Sequence, residues 1–374
     1  MDLVSAARQY FAPDYRAARE QFRRACERAA IDAREYANPL QGPHGETLAT
    51  DVAWVGPPDA ARVAVLVSAT HGVEGFPGSA AQIDWLCNAG AGALGDGVAV
   101  LLVHAINPYG FAWQRRVTEE GVDLNRNYVD FSAPLPQNSG YELLADALVP
   151  AELDEASVRA ADARIEAYRR EHGDKGLMLA RSGGQYVDPR GVFFGGAAPT
   201  WSRRTLERIV HDHRLAMREL VAVVDFHTGL GPFGYGEPIC AHTVDTVNVE
   251  RAYRWYGRSV TQPALGTSAS VEKTGLAEYG WEAMLGECVT FVALEYGTFA
   301  PANGLRVLRA DHWLHGARNV EWDDPQVQAI KRDIRMHFAP LTIDWQEMVL
   351  FRARQVIRQA IAGVGGAPEA VLPG

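Results

Sequence analysis

Short apolar runs alternate along the chain with stretches whose apolar positions recur at helical spacing. Four runs rich in valine and leucine predict buried strands, at residues 63–68, 98–104, 221–225 and 289–295. Amphipathic stretches between and after these runs predict helices, at residues 80–88, 202–213, 248–260 and 325–338. This alternation favours an α/β protein in which helices cover both faces of a largely parallel sheet.

The segment from about residue 130 to residue 200 departs from this pattern. It begins with a loop that contains Pro and Ser, continues through a charged helix near residues 157–172, and ends in the glycine-rich run RSGGQYVDPRGVFFGG. We interpret the segment as an insertion on the sheet, within a single domain that spans residues 1–374.

Composition narrows the classes of protein that the chain can represent. Its 374 residues are 47% hydrophobic and 22% charged, which is enough to bury a core without disulfides or a structural metal. The net charge of −10, with no block of basic residues, argues against nucleic acid and anionic membranes as partners. The four cysteines form no CxxC pair, and neither a signal peptide nor a long apolar run is visible. We therefore expect a soluble, cytoplasmic protein.

The first candidate cluster is the pair His71 and Glu74, in the sequence HGVEG directly after the predicted strand 63–68. On a tight turn flanked by glycines, an imidazole and a carboxylate three residues apart can face one point. Both groups suit a catalytic zinc ion, which takes three protein ligands and keeps one position open. The same spacing often arises by chance, so the pair alone is a weak signal for a metal site.

Two further polar residues accompany predicted strands. His227 lies just past a strand end in VAVVDFHTG, and Glu295 ends the apolar run FVALE. In open α/β sheets, catalytic groups gather at the carboxyl ends of the strands. A single histidine is more often a surface or core residue, and Glu295 could form a structural salt bridge. Burial would, however, raise the pKa of Glu295 toward the range of a general base.

The fourth cluster is the run NPYGFAWQRRVTEEGVDLNRNY at residues 107–128. It contains Arg115, Arg116, Asp123, Asn125 and Arg126, and it could simply be a solvated, charged loop. The planar guanidinium of arginine also suits bidentate binding of a carboxylate. The run therefore indicates a binding site for an anionic substrate as the functional alternative.

In chain order, the clusters are HxxE, NPxG…R…GVDLNRN, DFHTG and a glutamate late in a strand. This order resembles the zinc carboxypeptidases, including the branch that holds aspartoacylase and succinylglutamate desuccinylase. GVDLNRNY is the most specific motif, and the resemblance covers residues 63–297. It implies a three-layer α/β/α fold around a mixed, mostly parallel sheet.

The resemblance also implies a role for each matching residue. It makes His71, Glu74 and His227 the ligands of one zinc ion per chain, and Glu295 the catalytic glutamate. Asp123 corresponds to the acid that orients a ligand imidazole. The remaining matches concern the substrate.

In the same pattern, Asn125 and Arg126 bind the terminal carboxylate of the substrate. Arg116 polarises the scissile carbonyl, although the adjacent Arg115 could take that position. The family's downstream tyrosine has no secure counterpart, and Tyr279 is the nearest candidate.

These features leave three functions open. One is a metallocarboxypeptidase that releases the last residue of a peptide, and GVDLNRNY favours it. Another is a deacylase that cleaves N-acyl amino acids, which the short spacing between NPxG and DLNR favours. The third, a non-catalytic metal-binding domain, conflicts with the presence of all three ligands and Glu295. The expected partner is thus a small peptide or an N-acyl amino acid. The sequence leaves the oligomeric state open, and a homo-oligomer is one possibility.

The other histidines predict no second metal ion. We expect His211 and His213 to be exposed on a charged helix. We expect His312 and His315 to share one face of another helix. The side-chain pocket is expected between about residues 262 and 286. Its three glutamates favour either a basic substrate side chain or exposed helix charges: Glu272, Glu278 and Glu282.

Overall fold

A seven-stranded mixed sheet organises the chain in a computed structural model, which describes residues 7–317 and 320–366. Across the sheet the strand order is β1-β2-β4-β3-β5-β7-β6. The bounds are β1 (Ala33–Gln41), β2 (Thr47–Val55), β3 (Arg62–Val67), β4 (Val98–His104), β5 (Leu220–Phe233), β6 (Gly236–Ile239) and β7 (Val289–Gly297). The four central strands, which the sequence predicted, pair in parallel, and the outer strands pair antiparallel.

Helices cover both faces of this sheet. Their bounds are α1 (Tyr15–Arg28), α2 (Gly75–Asn88), α3 (Pro108–Ala112), α4 (Ser139–Leu148), α5 (Glu155–Ser182), α6 (Trp201–Asp212), α7 (Val247–Tyr256), α8 (Ala277–Leu285), α9 (Pro301–Ala317), α10 (Pro325–Phe338) and α11 (Ile343–Val364). The four predicted helices correspond to α2, α6, α7 and α10. Within the described residues, no helix is long and apolar enough to cross a membrane.

Strand β3 shows how the two faces of the sheet form separate cores. Ala64 and Leu66 belong to a core shared with α2 and α11, whereas the alternating residues Val63 and Val65 belong to a core shared with α6 and α8. Side chains alternate between the faces of a strand, so a strand buried on both faces is apolar throughout. The α/β/α fold predicted from the sequence is confirmed.

The segment at residues 130–200 contains α4, α5 and a glycine-rich loop. Tyr141 and Ile165 of these helices pack in a third core with Val73 and with Phe338 of α10. Because Val73 lies between His71 and Glu74, this core supports the turn that carries both residues. The predicted charged helix at residues 157–172 lies within α5, which bends at Gly173.

One prediction about a candidate site residue is wrong. His227 does not follow a strand end but lies inside β5, because the pairing of β5 with β7 continues beyond Asp225. In that pairing His227 lies opposite Glu295. The sheet itself therefore fixes the relative positions of these two side chains.

Candidate active site

The turn that follows β3 places His71 and Glu74 against the loop at residues 110–116. Gly72 and Val73 donate their N–H groups to the carbonyls of Arg116 and Arg115, at 3.1 and 2.8 Å. A Cβ on Gly72 would lie 2.0 Å from the carbonyl carbon of Gly110, so only glycine allows this approach. The glycine that follows His71 is thus required by backbone contact.

Three side-chain atoms from this turn and from β5 converge on one point. Nδ1 of His71 lies 3.0 Å from Oε2 of Glu74 and 3.1 Å from Nδ1 of His227. The remaining pair, Nδ1 of His227 and Oε2 of Glu74, is 3.5 Å apart. All three residues are buried, and this group could hold a metal ion. The structure therefore brings together the three ligands expected from the sequence.

A carboxylate lies behind each imidazole of this group. Nε2 of His71 is 3.1 Å from Oδ1 of Asp123, and Nε2 of His227 is 2.9 Å from Oδ2 of Asp225. The neutral His227 ring with its proton on Nε2 donates to Asp225 and keeps a lone pair on Nδ1. Nε2 of His71 lies 2.8 Å from Nη2 of Arg116 as well as beside Asp123. Thr70 in turn donates to Asp225 at 2.9 Å. Asp225 was not identified from the sequence, although it immediately precedes Phe226 and His227 in the DFH motif.

The negative charges around His71, Glu74 and His227 favour a cation at the point where these side chains meet. Burial opposes charge on His227, but Asp225 and Glu74 outweigh it and raise its pKa to about 10. Although burial acts against the charged forms, His71 and Arg116 keep the pKa of Glu74 below its usual range, and Arg116 and His71 do the same for Asp123. Two imidazoles and one carboxylate, each with its free atom facing one point, fit a divalent ion such as zinc.

Glu295 lies at the end of β7 and lines the same cavity as His71 and His227. It is 8% exposed, and its Oε1 accepts a hydrogen bond from the Leu230 N–H at 3.1 Å. Burial, and next the nearby charge of Glu74, raise the pKa of Glu295 to about 7. A carboxylate in this environment can accept and release a proton near neutral pH.

The structure distinguishes the two adjacent arginines. Arg116 lines the cavity and donates from Nη1 to Oε1 of Glu74 at 2.8 Å and from Nε to Oδ2 of Asp123 at 3.0 Å. Arg115 is not part of the cavity lining and donates from Nε to Asp311 at 2.9 Å. Arg116 is therefore the arginine placed beside the candidate metal group.

Asn125 and Arg126, which follow Asp123 in the sequence, also line the cavity. Oδ1 of Asn125 accepts the Ala277 N–H at 2.7 Å, which leaves its Nδ2 as a donor for a ligand. The buried guanidinium of Arg126 donates to the Ser182 carbonyl at 2.8 and 3.2 Å. Since five N–H groups belong to a guanidinium, donors remain for a carboxylate.

The cavity also contains two basic side chains that were not identified from the sequence. Lys273 contacts the Ser270 hydroxyl, and burial, followed by the charge of Arg126, lowers its pKa to about 7. Arg181 comes from the last turn of α5. Lys273 belongs to no recognisable motif, and Arg181 begins the glycine-rich run RSGGQYVDPRGVFFGG, to which no role was assigned. Only the tertiary fold brings residues so distant in sequence to one cavity.

Several other sequence expectations need correction. Tyr279 does not line the cavity, and its hydroxyl donates to the Lys273 carbonyl at 3.4 Å. His211 is exposed as predicted, but His213 is half-buried because its ring stacks on Trp54 at 5.6 Å. His312 and His315 are on one helix, α9, as expected, and burial lowers the pKa of both, so near neutral pH they are uncharged.

Among the three glutamates, Glu272 is exposed and Glu282 is half-buried, but Glu278 is buried and lines the cavity. The interpretation of Glu278 as an exposed helix charge is therefore wrong. Both oxygens of its buried carboxylate accept the Ala241 N–H, at 2.9 and 2.8 Å.

Cys240, His242 and Glu278 form a second buried group whose atoms lie close enough to hold a metal ion. However, Nδ1 of His242 lies 2.8 Å from Glu282, and its Nε2 accepts the Phe291 N–H at 2.9 Å. Both nitrogens are thus engaged, and no lone pair remains for a metal. This group joins β7 to α8 and does not resemble a second catalytic centre.

The fold and site define an α/β protein with a buried His–Glu–His group at the carboxyl ends of its central strands. A family model described as "Protein of unknown function (DUF2817)" matches residues 11–352, and the chain belongs to this family. No curated protein matches the chain in sequence.

Several solved structures are similar to the chain. Thrombin activatable fibrinolysis inhibitor matches 95% of this chain and 75% of its own, with 9% identity and a TM-score of 0.47. The succinylglutamate desuccinylase from Chromobacterium violaceum matches 89% and 76%, with 15% identity and a TM-score of 0.36. The ectoine utilization protein EutE from Ruegeria pomeroyi matches 77% and 67%, with 15% identity and a TM-score of 0.38. At these identities the similarity concerns the fold alone.

Proposed function

We propose that the protein is a zinc-dependent hydrolase that cleaves the C-terminal amide bond of a small, carboxylate-bearing substrate. The observation that supports this most strongly is the convergence of His71, Glu74 and His227 in the cavity that also contains Glu295. A metal centre beside a buried carboxylate of raised pKa is the combination that metal-assisted hydrolysis requires.

The candidate ligands are His71 and His227 through Nδ1 and Glu74 through Oε2. Zinc bound there would supply Lewis acidity and lower the pKa of a water molecule. Asp123 and Asp225 hold the two imidazoles in the orientation that turns each Nδ1 toward the proposed metal position.

Glu295 is proposed to take the proton from the attacking water and to pass it to the leaving amine. Its pKa of about 7 suits both transfers. Arg116 is proposed to donate to the scissile carbonyl as negative charge develops on its oxygen. Asn125 and Arg126 are proposed to bind the substrate carboxylate and so fix the reacting bond in the cavity.

A deacylase acting on N-acyl amino acids is the second candidate. It is compatible with the wall that residues 130–200 contribute to the cavity, through Met178, Arg181, Ser182 and Phe193. A wall in this position limits the length of chain that the cavity accepts. A short peptide and an N-acyl amino acid both satisfy that limit.

A mass-spectrometric substrate screen tests the proposal. Zinc-loaded protein and its Glu295→Gln variant are incubated with short peptides and with N-acyl amino acids. We expect the variant to keep its zinc and to lose about 10²- to 10⁴-fold in turnover, since only the proton-accepting group is removed. Release of C-terminal residues identifies a peptidase, and cleavage of the acylated amino acids alone identifies a deacylase. Substantial turnover by Glu295→Gln would remove Glu295 from the mechanism.

A further inference from the structure

Arg181 is a half-buried cation in the cavity wall. It lies in the last turn of α5, which belongs to the segment at residues 130–200. Within residues 7–317 and 320–366, its guanidinium makes no hydrogen bond, ion pair or ring contact. The charge therefore has no partner that the described part of the chain supplies.

The other arginines of the cavity are satisfied differently. Arg116 is bound by two carboxylates, and Arg126 is bound by the Ser182 carbonyl. For Arg181, burial is the sole influence that lowers the pKa, so no neighbouring carboxylate offsets its desolvation. A desolvated cation without a partner is unfavourable, and an anionic ligand would remove that cost.

We propose that Arg181 binds a second anionic group of the substrate, separate from the carboxylate assigned to Asn125 and Arg126. This inference rests on the proposed function and narrows its substrate to compounds with two anionic groups. A guanidinium recognises a carboxylate through two parallel, charge-assisted hydrogen bonds, which suits this role.

The surroundings of Arg181 specify what carries the second anion. Met178 lies one helical turn earlier on the same face of α5, and it also lines the cavity. Leu305 and Leu308 of α9 contribute further apolar surface to the cavity wall. Apolar surface combined with one cation fits a short aliphatic chain that ends in a carboxylate. An acidic residue next to the scissile bond and a dicarboxylic acyl group both have this form.

The effect of Arg181 can be measured by binding without turnover. Zinc-loaded Glu295→Gln protein is titrated calorimetrically with N-acetyl-Glu-Ala and with N-acetyl-Gln-Ala. It is then titrated with N-succinyl-alanine and with the analogue in which the free carboxylate of the succinyl group is an amide. In each pair the two compounds differ only in one carboxylate. We expect the anionic member to bind about 10- to 100-fold more tightly, as a hydrogen-bonded charge pair allows.

The decisive variant adds Arg181→Met, which keeps the apolar stem and removes the charge. It should reduce the preference for both pairs to below about 3-fold while leaving binding of the neutral members unchanged. Arg159→Met is the matched control, because Arg159 lies on the same helix, is exposed, and pairs with Glu155. This control should keep the full preference.

The possible outcomes separate this inference from the proposed function. Equal binding of the charged and neutral members by the Glu295→Gln protein that keeps Arg181, or an unchanged preference once Arg181→Met is added, would overturn the second anion site. If the preference depends on Arg181 but the Glu295-containing protein cleaves none of these compounds, the site stands and the proposed hydrolysis is wrong.

Discussion

At the scale of single residues, the carboxylates behind His71 and His227 determine which nitrogen of each ring faces the candidate metal position. Asp225 is buried and is held by the Thr70 hydroxyl, so it cannot rotate freely away from His227. The orientation of the imidazole is thus fixed without a metal, and this would raise affinity for an ion by reducing the ordering that binding requires.

The variant Asp225→Asn tests this positioning role. The amide keeps the shape of the carboxylate but removes its charge, so we expect affinity for zinc to fall about 10- to 100-fold. Competition with a fluorescent chelator measures the dissociation constant. Asp146→Asn, an exposed position on α4, is the control. An unchanged affinity in Asp225→Asn would show that Asp225 does not support the ligand.

A second residue-scale prediction concerns His104. It is buried on β4, where its ring stacks on Phe22 at 4.4 Å, and burial lowers its pKa to about 4 from 6.5. The folded protein therefore keeps His104 neutral, whereas the unfolded chain takes up a proton below pH 6.5. This contribution to stability is fully present above pH 6.5 and is lost as the pH falls toward 4.

In His104→Gln, that part of the acid sensitivity should disappear. Between pH 7 and pH 4, urea unfolding should show that the variant loses less unfolding free energy than the parent protein, by up to about 1.4 kcal/mol per pH unit. The exposed His211→Gln should leave the slope unchanged. A slope in His104→Gln equal to that of the parent would mean that His104 is not the group that titrates.

Some residues of the candidate site could be predicted from the sequence, and others could not. Motif order identified His71, Glu74, His227 and Glu295, because these residues lie within short, recognisable sequences. The choice between Arg115 and Arg116 depended on which side chain turns toward Glu74, and neighbouring residues of the same type give no such information. Lys273, Arg181 and the buried state of Glu278 depend on contacts between distant segments.

At the scale of secondary-structure elements, the four parallel strands were predicted because burial on both faces makes them continuously apolar. The hairpin of β1 and β2 was missed. In β1 most side chains are exposed or half-buried, and the strand includes Pro39, so the run AREYANPLQ has no apolar signature. Strand β6 is short and also contains a proline.

A buried ionic group joins α9, α10 and the loop that carries Arg116. Asp311 of α9 accepts hydrogen bonds from Lys331 of α10 at 2.6 Å and from Arg115 at 2.9 Å. Burial acts against the charged form, but Arg115 and Lys331 keep the pKa of Asp311 well below its ordinary range. The backbone of Arg115 also receives the Val73 N–H, so this group supports the turn of the candidate metal ligands.

Replacing Asp311 by alanine should therefore destabilise the protein strongly. Two buried cations would lose their partner, at a cost of about 3–5 kcal/mol in unfolding free energy. Asp333→Ala breaks the exposed pair between Asp333 and Arg306 and should cost less than about 1 kcal/mol. Denaturant unfolding of both variants measures the difference, and equal effects would contradict a supporting role for the buried group.

At the scale of the whole molecule, the candidate site joins parts of the chain that are far apart in sequence. The turn after β3 supplies His71 and Glu74, β5 supplies His227, and β7 supplies Glu295. These strands are neighbours in the sheet order β3-β5-β7, so the sheet assembles the site at their carboxyl ends. The segment at residues 130–200 then contributes one wall of the cavity.

Zinc stoichiometry, measured by native mass spectrometry after reconstitution and removal of free metal, tests the proposed metal centre most directly. We expect one zinc ion per chain in the unsubstituted protein and in Glu295→Gln. A variant that carries both His71→Ala and His227→Ala should retain none while keeping the far-ultraviolet circular dichroism of a folded α/β protein. An unsubstituted protein without zinc, or a double variant that retains the ion, would show that these residues do not form the metal centre.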